Sequence, residues 1–195
     1  MTVAVTRGAE GFPRRAFTVD EVRRMIEVGL IGEDEKFELV EGEIVPMQAK
    51  SIAHERIKHA LVMALARAAG PELWVAGATT VQLGETTLVE PDLAVLARTV
   101  YDADPQSFAR PGADDVVLLI EVAVSRLAYD RKVKARLYAR HGIREFWVID
   151  GETLTTFVHT GPAGDGFGSI VARGPDETLT CDALPGFAVR LDAIG

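Results

Sequence analysis

Apolar residues recur along this chain with two periods, and each change of period marks an element. Thr18-Val-Asp-Glu21 reads as a capping box, with Thr18 as N-cap. Val22, Met25, Ile26 and the apolar run 28–30 predict a short helix that Gly32 ends. Phe37 to Met47 alternates around Gly42 and predicts a hairpin. From Ser51 to Ala69, Ile52, Ile57, Leu61, Val62 and Leu65 fall at helical spacing, and Gly70-Pro71 stops the helix. Strands are expected at 73–76, 80–83 and 88–96, then an exposed polar loop over 98–114.

Val116 to Val124 is nearly all apolar, as a strand buried on both faces should be. Asp130 to Arg140 predicts a helix closed by Gly142, and Glu145 to Asp150 another buried strand. Short strands are expected at 154–159, 169–172 and 188–191. The order of elements gives an α/β fold, a mixed central sheet with helices packed on it. Residues 1–16 read as a loose arm and 17–195 as a single domain.

The 195 residues suffice to bury a core. No apolar run approaches the roughly 18 residues of a membrane span. The start of the chain lacks the pattern of a secretory signal, so a cytoplasmic protein is expected. Cys181 is the single cysteine and can form neither an internal disulfide nor a thiolate cluster. The net charge of −8 counts against a generic nucleic-acid binder. Any DNA affinity must come from a local basic patch, a dimer groove or a bound metal.

Three charged residues interrupt the apolar pattern. Glu121 lies inside the strand VVLLIEVAV, where an unpaired carboxylate is expensive to bury. The alternative to a functional role is a structural ion pair with an arginine. Asp92 follows Pro91 within the run LVEPDLAVL. Proline sits at an edge or a bulge, and a bulge re-aims side chains. Glu90 would share Asp92's face in a regular strand and is a further candidate.

Lys134 shares a helix face with Asp130 and Tyr138, beside the apolar stripe of Val133 and Leu137. A surface pair of Asp130 with Lys134 is the competing explanation. Together, two strand carboxylates offer the hard oxygens that Mg²⁺ or Mn²⁺ prefers, and a lysine beside them stabilises developing charge. No Walker loop, dinucleotide fingerprint or zinc spacing competes.

The segments Phe37–Glu43, Pro91-Asp92, Glu121-Val122, Ser125–Lys134 and Gly142–Asp150, with Tyr138 and the His54 helix, resemble the Uma-two family of putative restriction endonucleases. That family is part of the PD-(D/E)xK nuclease superfamily. The resemblance runs roughly from Phe17 to Asp150. It implies a restriction-endonuclease-like core and a Mg²⁺- or Mn²⁺-dependent endonuclease acting on DNA. It implies that Asp92 and Glu121 bind the metal, and that Glu38 is a further metal or water ligand.

The superfamily's usual lysine would fall at Ala123, and the resemblance places it at Lys134 instead. His54 matches a histidine of the first core helix and is expected to be structural. Tyr138 is expected to pack rather than to orient Lys134. Phe146 and Trp147 are expected in the core, and Asp150 to cap a turn. A homodimer is also expected. The competing class is a non-catalytic nuclease-fold protein that binds a partner, and a third reading is a hydrolase of small phosphoesters.

Overall fold

The computed structural model describes residues 5–7, 11–32, 34–102 and 110–194. In chain order its first elements are β1 (Val5–Arg7), β2 (Pro13–Arg15), α1 (Val19–Glu27), β3 (Phe37–Val40), β4 (Glu43–Pro46), α2 (Ile52–Ala68) and β5 (Leu73–Gly77). Next come β6 (Val81–Gly84), β7 (Thr87–Val89), β8 (Leu93–Ala97), α3 (Thr99–Asp102) and β9 (Val116–Ala123). The helix α4 (Leu127–Tyr129) runs through a π-helical turn, Asp130–Lys134, into α5 (Ala135–Arg140). The strands β10 (Glu145–Asp150), β11 (Thr156–Ala163) and β12 (Gly166–Arg173) complete the list. No helix among the described residues is long and apolar enough to cross a membrane.

The chain forms two compact units, one of Met1–Ala49 with Thr80–Glu90, the other of Lys50–Thr79 with Pro91–Gly195. The first holds the β1–β2 pair and a four-stranded sheet in the order β4-β3-β7-β6. Strands β1 and β2 lie in the stretch read as a loose arm; residues 1–4 and 8–10 lie outside the described residues. The capping box at α1 forms, with Glu21 N donating to Thr18 Oγ1 at 3.1 Å and Thr18 N donating to Glu21 Oε2 at 3.0 Å. The helix ends at Glu27, earlier than Gly32, because Gly29 takes a φ of +72°. Val28 and Leu30 are therefore exposed loop residues. The β3–β4 hairpin turns on Glu41 and Gly42, both at positive φ, as a two-residue primed turn requires.

The second unit is built on a mixed six-stranded sheet in the order β12-β11-β10-β9-β8-β5. Only β9 and β10 pair in parallel; the other neighbours are antiparallel. Leu61 and Leu65 of α2 pack with Leu93, Val95, Leu118, Ile120, Trp147 and Ile149. Residues one position on from these belong to the opposite face. There Tyr138 of α5 meets Phe146 edge-to-face, with ring centroids 4.8 Å apart. The C-terminal segment adds Leu179, Leu184, Phe187, Val189 and Leu191 to the first of these cores.

Three expectations are corrected here. The stretch 88–96 is not one bulged strand. Glu90-Pro91-Asp92 breaks it, so that β7 belongs to the four-stranded sheet and β8 to the six-stranded one. Pro91 lacks the N–H that a continuous ladder needs. Glu90 and Asp92 are thus not neighbours on one strand face. The expected strand at 188–191 is reduced to a single bridge, Leu179 to Val189, followed by a 3₁₀ turn, Leu191–Ala193. The loop over 98–114 contains α3 and a 3₁₀ turn at Ala113–Asp115, with 103–109 outside the described residues.

Asp150 caps its turn as expected, accepting from Glu152 N at 3.0 Å and Thr153 Oγ1 at 2.8 Å. Glu145 is a buried acid at the start of β10. Trp147 Nε1 donates to its Oε1 at 2.7 Å and Cys181 Sγ to its Oε2 at 3.3 Å. Burial raises its pKa by more than these donors lower it. Burial likewise pushes the Cys181 thiol up to about 12, so it stays neutral.

Folded Glu145 keeps its proton to higher pH than the unfolded chain does. Its stabilisation is complete below the ordinary glutamate value of about 4.3 and is lost as pH rises through the folded value. Glu145→Gln should therefore flatten the fall in melting temperature between acid and neutral pH. Thermal melts of both proteins across that range check this; parallel curves would remove the assignment.

Candidate metal and phosphodiester site

Asp92, at the start of β8, lies where the ladder with β9 begins. Its backbone carbonyl accepts from Ala78 N at 3.1 Å, which anchors the turn. Its buried carboxylate gathers three donors. Val122 N donates to Oδ2 at 2.8 Å, His54 Nε2 meets the same oxygen at 2.9 Å, and Lys50 Nζ bonds Oδ1. Burial on its own would raise the Asp92 pKa. The His54 hydrogen bond and the Lys50 charge outweigh it and hold the carboxyl well below the usual range.

His54 lies on the core face of α2, one turn inside the N-cap Ser51, whose side chain accepts from His54 N at 3.2 Å. Its Nδ1 faces Glu55 Oε1 at 3.2 Å, so the ring lies between two carboxylates. The histidine is thus a buried group hydrogen-bonded to the candidate acid. Lys50 went unremarked in the sequence because its contact with Asp92 joins residues 42 positions apart.

Glu121 sits in the middle strands of the sheet, between Ile120 and Val122. Alternation turns it away from the α2 core, toward the helix that follows β9. Lys134 Nζ donates to Glu121 Oε1 at 2.8 Å, and Tyr138 Oη donates to the same oxygen at 3.0 Å. Glu121, Lys134 and Tyr138 are all buried. The buried carboxylate is paired with a lysine and a tyrosine here, in place of the arginine considered from sequence. Tyr138 does more than pack.

Lys134 closes the π-turn, in which Ala135 N bonds Asp130 O. Such wide turns concentrate at functional sites. Within regular α-helix, Lys134 and Tyr138 would lie one above the other, and both reach one oxygen. Lys134 is not a solvent-facing surface residue. Ala123, two residues after Glu121, is buried and carries no charge.

Glu38 belongs to the first unit, on β3, where its buried Oε1 accepts from Glu90 N at 3.0 Å. Asp92, Glu121, Lys134, His54 and Tyr138 all belong to the second unit. Among the described residues, no three His, Cys, Asp or Glu side chains cluster as a metal-holding group.

A crystal structure of a putative nuclease belonging to DUF820 from Anabaena variabilis ATCC 29413 superposes with a TM-score of 0.69. The match has 18% identity and covers 91% of this chain and 97% of that one. The fold is therefore that of a nuclease-like core. No curated protein matches the chain. The sequence model of the Uma2 family, described as "putative restriction endonuclease", matches residues 19–193, and the chain belongs to that family.

Proposed function

We propose that the protein is a metal-dependent endonuclease that hydrolyses phosphodiester bonds in DNA, with Asp92 and Glu121 holding Mg²⁺ or Mn²⁺ and Lys134 assisting. The observation that carries this reading is the buried Lys134–Glu121 pair at 2.8 Å, on the β-strand next to the one that Asp92 opens. Two carboxylates suit Mg²⁺, which completes its shell with waters and substrate phosphate oxygens. A metal would take the Asp92 oxygen on Lys50, because that lysine side chain is 34% exposed and its long stem can move aside.

A bound divalent ion would polarise the phosphate and lower the pKa of its water. Lys134 supplies positive charge toward the phosphoryl oxygens. Tyr138 and Lys134 together fix the Glu121 carboxylate, and His54 with Val122 N fixes that of Asp92. Water attacks phosphorus, one P–O ester bond breaks, and the departing oxygen takes up a proton.

The test is cleavage of plasmid and branched DNA with Mg²⁺ or Mn²⁺, comparing wild type with Asp92→Ala. Equal activity in the two would assign the cleavage to a contaminant and end this reading. One observation favours the rival, a non-catalytic nuclease-fold protein. Both carboxylates are already held by protein donors, Lys50 and His54 on one, Lys134 and Tyr138 on the other. Absence of Mn²⁺ binding at millimolar concentration, by calorimetry, would support the rival. Activity on model phosphodiesters without any on DNA would support a small-phosphoester hydrolase.

A homodimer accompanies the reading. Its support is β12, at the edge of the six-stranded sheet, with Ile170 and Val171 exposed. Sedimentation is expected to show twice the 21.1 kDa chain mass, and a monomer alone would remove the dimer.

A further inference from the structure

The outward face of α2 has no part in the site described so far. Ile52, Arg56, His59, Met63 and Arg67 recur at three- and four-residue spacing and form one exposed stripe. They line a groove of about 640 Å³ that ends at Lys50, the cation bonded to Asp92. Among the described residues neither Arg56 nor Arg67 has an ion-pair partner. The one acid lining the groove, Glu55, is engaged by Lys58 at 2.8 Å and by His54. On a chain of net charge −8, this is a local concentration of uncompensated positive charge.

A second copy of the chain fits the stripe poorly. Across a two-fold contact the same patch faces itself, and Arg56, His59 and Arg67 would meet their like. A polyanion fits well. Arg56 and Arg67 are separated along the helix by roughly 16 Å, a distance over which duplex DNA presents several phosphates. Ile52 and Met63 then cover apolar sugar surface between the phosphate contacts. Lys50, at the end of the groove, is itself bonded to Asp92.

We propose that this face of α2, from Lys50 through Arg56 and His59 to Arg67, is the docking surface for the phosphate backbone of double-stranded DNA. It rests on the nuclease reading for its choice of partner, but is tested by binding alone. Fluorescence anisotropy of a labelled duplex oligonucleotide, in EDTA so that no cleavage occurs, compares wild type with Arg56→Ala/Arg67→Ala at several salt concentrations. The double variant should bind about 10-fold more weakly at low salt. Its slope of log affinity against log salt should fall by about 2, from the loss of two phosphate contacts. Arg56→Lys/Arg67→Lys should retain most of the affinity, and all three proteins should share one circular dichroism spectrum.

An unchanged affinity and slope in the alanine variant overturns the proposal, as does a wild type that fails to bind duplex at low salt. If Ile52→Glu turns a dimer into a monomer at unchanged DNA affinity, the face belongs to a second copy and the proposal falls. The cleavage assay with Asp92→Ala runs separately. Loss of binding in the arginine variant with equal cleavage by Asp92→Ala keeps the docking surface and ends the nuclease reading. The reverse pattern keeps the nuclease and ends the docking surface.

Discussion

Asp92→Asn is expected to lower metal-dependent DNA cleavage by about 10³-fold or more, the several kcal/mol that a bound ion contributes to charge stabilisation. The amide keeps the shape and one acceptor oxygen, so the variant should fold. What it loses is the charge that Lys50 and His54 face and that a divalent ion would require. Asp92→Ala also orphans the buried Val122 N–H, at a cost of about 1–3 kcal/mol. Comparing the two separates loss of the ligand from loss of the fold.

The same residue predicts an acid limb in stability. Its folded pKa is depressed, so it stabilises the protein above the ordinary aspartate value of about 3.9. That contribution disappears as pH falls through the folded value. Melting curves between pH 2 and pH 7 should fall more steeply in acid for the wild type than for Asp92→Asn. Equal acid slopes, together with equal cleavage, would leave Asp92 no role beyond its backbone.

Lys134→Met is expected to destabilise the protein by about 3–5 kcal/mol, because it removes the ammonium bonded to the buried Glu121 at 2.8 Å. For a chain of this size that corresponds to roughly 6–20 °C in melting temperature. Cleavage should fall by about 10²–10³-fold, as when a preorganised charge-stabilising group is removed. Glu121→Gln/Lys134→Met should recover much of the stability, since the buried charges then leave together. It should recover none of the activity. A double variant no more stable than Lys134→Met alone would show that the pair is not the origin of the loss.

Much of the local structure was legible because local chemistry decides it. Thr18 and Glu21 announce a helix start through bonds that span three residues. The Glu41-Gly42 turn follows from a glycine at its second position. Glu121 stood out because an acid in an apolar strand needs a partner. The break at Pro91 was less legible. A proline in a strand pattern signals interruption, but not that the two halves join different sheets.

Lys50 and Tyr138 were missed, or undervalued, for another reason. Each reaches its acid across many residues, and nothing at the sequence positions themselves marks the meeting. For Lys134 a surface pair stood as the competing explanation because ideal helical spacing puts Asp130 one turn before it. The wide turn between them was not written in any residue type.

That wide turn also separates two adjustments a regular helix would lock together. An extra residue accommodated in one turn offsets α4 from α5 by about 100° of rotation. Arg131, its guanidinium 3.6 Å from the centre of the Phe157 ring, sits early in that turn, and Lys134, which donates to Glu121, closes it. Loss of the extra residue would rotate Arg131 against Lys134 and Tyr138 and set the Phe157 contact against the bonds to Glu121. The extra residue thus lets one short helical segment serve both the Phe157 ring and the Glu121 carboxylate.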